Sequence, residues 1–288
     1  MMFWCIGLMF LASATAMWRK EMENPNLFNG DMILTPTQLS QVKDGKAYGS
    51  IIGYRWPNAK VPYEIDRSIG STGRSAIQAA INDYHKYTCL RFAPRRGESG
   101  YIRFYSGGGC SSPVGYHRRK NSISLGRGCQ NKGTAIHEIG HSIGLYHEQN
   151  RPDRDQYIRI NRNNVQSGMY YNFQKERNIN SLNTPYDLRS IMHYSSTAFA
   201  RNYRYKTITT IDQSQQHLID HGDRISDFSP IDIKQINLMY NCAGGGPSLP
   251  PPTCENRHSR CDEWANRGEC KINPRYMLNM CKKACNVC

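Results

Sequence analysis

The 288-residue chain lacks any long apolar run beyond its first dozen positions. Met1 to Ala12 is apolar, but a bilayer-spanning helix needs about 20 such residues, and the charges of Arg19 and Lys20 follow closely. No later segment is apolar enough to cross a membrane, so no membrane span is expected. The chain has no Asn-x-Ser/Thr sequon, so N-glycosylation is not expected. It shows no internal repeat, which argues against a solenoid or propeller. Acidic residues are scarce: 23 Asp and Glu face 37 Lys and Arg, for a net charge of +14. Such a balance favours acidic partners, namely polyanionic extracellular matrix, an anionic membrane surface or acidic substrates. A solvated basic surface accounts for the charge equally well. Nothing else in the chain has the features of a nucleic-acid module, so no nucleic-acid partner is expected.

Cysteine, by contrast, is abundant, with 11 residues. Residues 1–16 read as a secretory signal: an apolar run closed by Ala14-Thr15-Ala16, a small-residue cleavage pattern, although no Lys or Arg precedes the run. Cys5 leaves with that signal. Ten cysteines remain: Cys89, Cys110, Cys129 and Cys242, then six between Cys254 and Cys288. An even, crowded set belongs in an oxidising compartment, which predicts a secreted, extracellular protein. The first four allow three pairings and the last six allow fifteen.

The remaining chain divides at changes of composition. Residues 17–46 are polar, without clear periodicity, and read as an extended segment. A compact region spans 47–242. A Gly/Pro linker covers 243–253, and a cysteine-rich tail covers 254–288. Within the compact region, Ile77, Ala80, Ile81 and Tyr84 fall at helical spacing and predict a helix from Ser71 to Thr88, with Ser71 or Thr72 as cap. A second helix is predicted from Thr134 to Ile143, stopped by Gly144. A third runs from Pro230 to Tyr240 behind an N-cap at Ser229. Val61–Ile65, Cys89–Ala93, Tyr101–Tyr105 and Ser122–Leu125 predict short strands. The class is α+β, and Arg151 to Asp227 reads as mostly irregular.

The chemistry concentrates in His137-Glu138-Ile139-Gly140-His141-Ser142-Ile143-Gly144-Leu145-Tyr146-His147. On a helix, His137 and His141 are one turn apart and project from one face. Gly144 lets the chain leave the helix with positive φ, which returns His147 as a third nitrogen donor. Three protein ligands with one position left over is the layout of a catalytic zinc site. Glu138, one residue along, points beside the metal and suits a general base acting on zinc-activated water.

Residues 137–158, HEIGHSIGLYHEQNRPDRDQYI, resemble the extended zinc signature of the astacin metalloendopeptidases, a branch of the metzincins. Glu148, Arg151, Asp153, Arg154 and Asp155 match the family pattern, and Leu145 stands where it usually has Phe. Ser190-Ile191-Met192-His193-Tyr194 resembles the family's Met-turn. The resemblance implies a two-lobed zincin-like fold and one Zn2+ per catalytic domain. It implies Met192 as an apolar floor and Tyr194 as fifth ligand, swinging off to hydrogen-bond the tetrahedral intermediate. Phe28-Asn29-Gly30-Asp31 resembles the family's inhibitory element, whose aspartate, here Asp31, ligates zinc in the zymogen. Arg55-Trp56-Pro57 and Val61-Pro62-Tyr63 resemble the start of mature family domains. That likeness puts the mature N-terminus at Ala47, after a trypsin-like cut at Lys46, and implies a link from the Ala47 amine to Glu148. It further implies bridges Cys89–Cys242 and Cys110–Cys129. The closing C-x3-C-x2-C resembles the ShKT module, which implies Cys254–Cys288, Cys261–Cys281 and Cys270–Cys285. Arg275-Tyr276 stands where channel-blocking members carry Lys-Tyr, and the broad guanidinium argues against a pore plug.

The sequence therefore predicts a secreted zinc endopeptidase acting on proteins or peptides, made as a precursor. Two rivals are a catalytically dead binding protein and a toxin-like, channel- or matrix-binding protein acting through the tail. The first should have lost a ligand or Glu138, and it has not. His221 and Arg224 are candidates to line a primed-side pocket that prefers acidic residues.

Overall fold

The computed structural model describes residues 22–43, 55–176, 180–220, 226–242, 256, 258–273, 277 and 280–285. The expected signal at 1–16, the expected Lys46–Ala47 junction, the expected linker 243–253 and Arg275-Tyr276 lie outside these residues.

Six strands form one sheet in the order β1-β5-β6-β4-β2-β3. They are β1 (Met32–Ile33), β2 (Lys60–Ile65), β3 (Arg91–Pro94), β4 (Tyr101–Tyr105), β5 (Cys110–Pro113) and β6 (Lys120–Leu125). The pairs β2–β3, β2–β4, β4–β6 and β1–β5 are parallel, and β5–β6 is antiparallel. Helices α2 (Ser71–Tyr87) and α3 (Lys132–Ile143) pack against each other. The α2 stripe of Ile77, Ala80, Ile81 and Tyr84 is fully buried in one core with Ile102, Phe104, Ile123 and Leu125 of the sheet and Ile136 and Ile139 of α3. A second core holds Ile158, Phe173, Tyr186, Phe199 and Ile208. Its only strands among the described residues are the antiparallel pair β7 (Ile158–Ile160) and β8 (Ile208–Thr210). The other described residues of 151–220 form turns, loops and 3-10 helix, so they are irregular because long-range packing, not a repeating ladder, organises them. The two cores are those of the two lobes, and the fold class is α+β.

Several elements differ from the sequence reading. Gly70, not Ser71 or Thr72, is the N-cap of α2, without a side-chain cap. The stretch 17–46 is not simply extended, because Pro36–Lys43 forms helix α1. Thr35 and Gln38 start it with reciprocal bonds: the Gln38 N–H donates to Thr35 Oγ1 at 3.2 Å and the Thr35 N–H to Gln38 Oε1 at 2.8 Å. Helix α4 (Pro230–Met239) carries a full capping box between Ser229 and Asp232. In the tail, α5 (Cys261–Asn266) and α6 (Glu269–Ile272) pack on a small cluster around Cys261, Met277 and Cys281. Bridges join Cys89–Cys242, Cys110–Cys129, Cys261–Cys281 and Cys270–Cys285. Cys254 and Cys288 lie outside the described residues. Among the described residues, no helix is long and apolar enough to cross a membrane.

Candidate metal centre

Helix α3 is buried from Gly133 to Ile143, so its last-turn carbonyls need partners inside the protein. All four have them. The Leu145 N–H donates to the Gly140 carbonyl (2.9 Å) and the Gly115 N–H to that of His141 (3.0 Å). Trp56 Nε1 donates to the Ser142 carbonyl (2.9 Å) and the Tyr240 hydroxyl to that of Ile143 (2.9 Å). Gly144 closes the helix at φ 116°, a conformation that a residue with a Cβ rarely adopts. The chain then turns and brings His147 back beside His137 and His141.

The three imidazoles meet one carboxylate. Asp31 Oδ2 lies 3.3 Å from His137 Nε2 and 3.2 Å from His147 Nε2, and Oδ1 lies 3.4 Å from His141 Nε2. The two nitrogens of His137 and His147 are 3.4 Å apart. Tetrahedral ligands at about 2.0–2.1 Å from zinc stand about 3.3–3.4 Å from one another, so the four donors fit that ion. Asp31 Oδ1 and His141 Nε2 are buried without a hydrogen-bond partner, which a cation between them would supply. Nδ1 of His137 contacts the Ile191 carbonyl (2.8 Å) and Nδ1 of His141 that of Leu145 (2.8 Å). These contacts place the ring N–H on Nδ1 and turn Nε2 towards the ion.

Electrostatics agrees with this donor set. Burial keeps the His141 and His147 rings neutral, with His147 pushed down to about 4. Burial alone would raise Asp31, but positive charge at His147 and His141 would hold it well below the usual carboxylate range, and with neutral rings a bound cation is the group that supplies that charge. Burial, reinforced by the Asp31 charge, pushes Glu138 well up. Both Glu138 oxygens are buried without a hydrogen-bond partner.

The other candidates surround this centre. Met192 is 2% exposed, and a Cβ on Gly140 would come within 2.8 Å of its Sδ, so the thioether lies directly against α3. The Tyr194 ring packs on His147 with centroids 4.6 Å apart, and its hydroxyl donates to the Asn29 carbonyl at 2.5 Å. Glu148 accepts from Arg151 Nη1 (3.0 Å) and from the Asp187 N–H (2.8 Å), and burial raises it to about 8. Ala47 lies outside the described residues, as do His221 and Arg224, so their pairing and pocket are not described.

Sequence reading missed the frame that holds the Met-turn. Asp232 accepts from Ser190 Oγ (2.6 Å) and from the Ile191 N–H (3.0 Å), and Ser229 Oγ donates to Asp187. The one available signal was the Ser229-x-x-Asp232 capping pattern, which does not reveal that the same carboxylate reaches across to residue 190.

A model of the Astacin peptidase family matches residues 50–241, and one of the ShK-like domain matches residues 253–288. Zinc metalloproteinase nas-15 of Caenorhabditis elegans is 33% identical over 95% of this chain and 55% of its own length. Nematocyst expressed protein 6 of Nematostella vectensis is 36% identical over 88% of this chain and 89% of its own length. The chain spans only 38% of blastula protease 10 of Paracentrotus lividus, at 41% identity. Among solved structures, high choriolytic enzyme 1, a hatching-enzyme zinc protease from Oryzias latipes, superposes with a TM-score of 0.59 at 34% identity. The match covers 68% of this chain and 98% of that one. A signature on α3, a matching fold and a relative matched across more than two thirds of both lengths lead to one conclusion: the chain belongs to the astacin family of peptidases and carries a ShK-like module at its C-terminal end.

Proposed function

We propose that the chain is a secreted zinc endopeptidase of protein substrates, made as a precursor with a signal (1–16), a pro-segment (17–46), a catalytic domain (47–242), a linker and a ShKT tail (254–288). The observation that carries this reading is the approach of Asp31 to all three imidazoles at 3.2–3.4 Å. A segment that precedes the catalytic region by sequence occupies the one coordination position that chemistry requires.

His137, His141 and His147 hold the ion, and Asp31 is the fourth ligand in the latent protein. Zinc bound there supplies Lewis acidity, which acidifies a water and polarises a peptide carbonyl. Glu138 accepts the proton and passes it to the leaving amine, and neither of its buried oxygens is held by a hydrogen bond that would compete for that proton. Tyr194, also held neutral by burial, exchanges the Asn29 carbonyl for a substrate carbonyl oxygen as that oxygen gains charge. Cleavage after Lys46 frees Ala47, whose amine joins Glu148, and lets Asp31 leave. The ten cysteines left after signal removal and the absence of a spanning helix among the described residues support export.

Purified latent protein should contain one zinc per chain and cut casein poorly. Limited trypsin treatment should give an N-terminus at Ala47 and full activity, and a zinc chelator should abolish it. Metal-free protein that cuts casein after trimming, or active protein that begins elsewhere, overturns the reading.

A further inference from the structure

The chemistry above uses Asn29 and Asp31 of the pro-segment. Farther back, residues 22–25 are held by two tyrosines with no part in that chemistry. The Tyr171 hydroxyl donates to the Pro25 carbonyl at 2.7 Å, and the Tyr203 hydroxyl donates to Glu23 Oε2 at 3.0 Å. Both rings remain about two-fifths exposed with the segment in place, at 39% and 42%. Tyr203 lies in Arg201-Asn202-Tyr203-Arg204-Tyr205, a turn in which every residue is exposed and two carry guanidinium groups. Next to Tyr171 in sequence, Tyr170 lies under the Arg162 guanidinium at 4.5 Å. The surface therefore combines hydroxyl donors with positive charge and carries no acidic side chain of its own between residues 201 and 206. Such a surface attracts and orients carboxylates.

In the latent protein Glu23 supplies the carboxylate and Pro25 the backbone carbonyl. Each stands in for a group that any extended peptide with an acidic residue also offers. We infer that the Tyr171–Tyr203 ledge, with Arg201 and Arg204, is a substrate subsite for an acidic side chain, used by the pro-segment before activation and by substrate afterwards. The inference rests on the proposed peptidase activity and on departure of the pro-segment. Glu23 is eight positions from Asp31, but the segment turns back between them, and the Asn24 N–H donates to the Gly30 carbonyl at 2.9 Å. In an extended substrate, the acidic residue is thus expected within a few positions of the cleaved bond.

The test uses trypsin-activated full-length protein and quenched fluorescent peptides with one cleavable core. A single Glu, or Gln as its control, is placed at each position from about two to six residues on either side of the bond. At one or two positions on one side, the Glu peptide should show a KM about fivefold below its Gln control, with kcat unaltered. The ratio should shrink towards one in 0.5 M salt, because exposed charges are screened there. It should also shrink at least twofold in Tyr203→Phe and approach one when Arg201→Gln and Arg204→Gln are added. Equal KM values for Glu and Gln peptides at every position, or a preference that survives these variants, overturn the inference while cleavage of the Gln peptides leaves the peptidase reading standing. If no peptide is cleaved, that reading fails instead. The ledge is then tested by fluorescence anisotropy with a labelled 17–34 peptide on the trimmed protein. Equal affinity of that peptide and its Glu23→Gln form overturns it, and at least threefold weaker binding of the Gln form supports it.

Discussion

Two buried carboxyls show how one side-chain type serves different ends. Glu138 has no hydrogen-bond partner for either oxygen and is pushed well up by burial, a costly arrangement in a protein of marginal stability. Glu138→Ala should therefore keep its zinc and unfold at an equal or higher temperature, yet lose about 10²–10⁴-fold in kcat. Metal analysis, calorimetry and casein hydrolysis on one sample check all three. Glu176 is raised by burial from 4.5 to about 7. Its folded form binds the proton more tightly than the unfolded chain does, so its contribution falls as pH climbs from about 4.5 to about 7 and is level above. Across that window the loss amounts to on the order of 3 kcal/mol. In the full-length protein, Glu176→Gln should gain stability over wild type progressively through this range, read as the difference in urea midpoints at pH 5, 6, 7 and 8.

At the scale of elements, α3 depends on groups far from it in sequence. Trp56 and Tyr240 satisfy the carbonyls of Ser142 and Ile143 from positions 86 and 97 residues away. Trp56→Phe keeps a large ring but leaves the Ser142 carbonyl buried without its donor, which costs about 1–3 kcal/mol. Because that carbonyl lies one residue beyond His141, zinc affinity should weaken along with stability, and competition with a chromogenic chelator reads this directly. Helix α4 works the other way, since its capping residues hold the Met-turn. Ser229→Ala should cost about 1–2 kcal/mol as a lost cap and should also free Asp187 from its serine partner.

For the whole molecule, the Cys89–Cys242 bridge closes a loop of 153 residues and ties the end of the domain to the first core. On chain-entropy grounds its removal in Cys89→Ser/Cys242→Ser costs about 5 kcal/mol, enough to consume most of a typical domain's stability. That variant should accumulate poorly on expression and be cut readily by added trypsin. The tail has its own small core and its own bridges. A chain ending at Cys242 should therefore keep zinc and hydrolyse short peptides at the full-length rate, and a fall of tenfold or more would place the tail in the peptidase machinery.

What the residues determine unaided is local and periodic. The i, i+4 pair His137 and His141, the adjacent Glu138, the helix-ending Gly144 and the apolar stripe of α2 all follow from helical geometry within one short window. The capped start of α4 follows in the same way, from Ser229 and Pro230. Strand β5 was missed because Cys-Ser-Ser-Pro carries almost no strand preference, and it exists because β6 on one side and β1 on the other pair with it. Only tertiary structure brought Asp31 to imidazoles more than a hundred residues away, seated Tyr194 on Asn29, and laid Glu23 against Tyr203. Those contacts depend on how a chain closes long loops, and no window of sequence contains both partners.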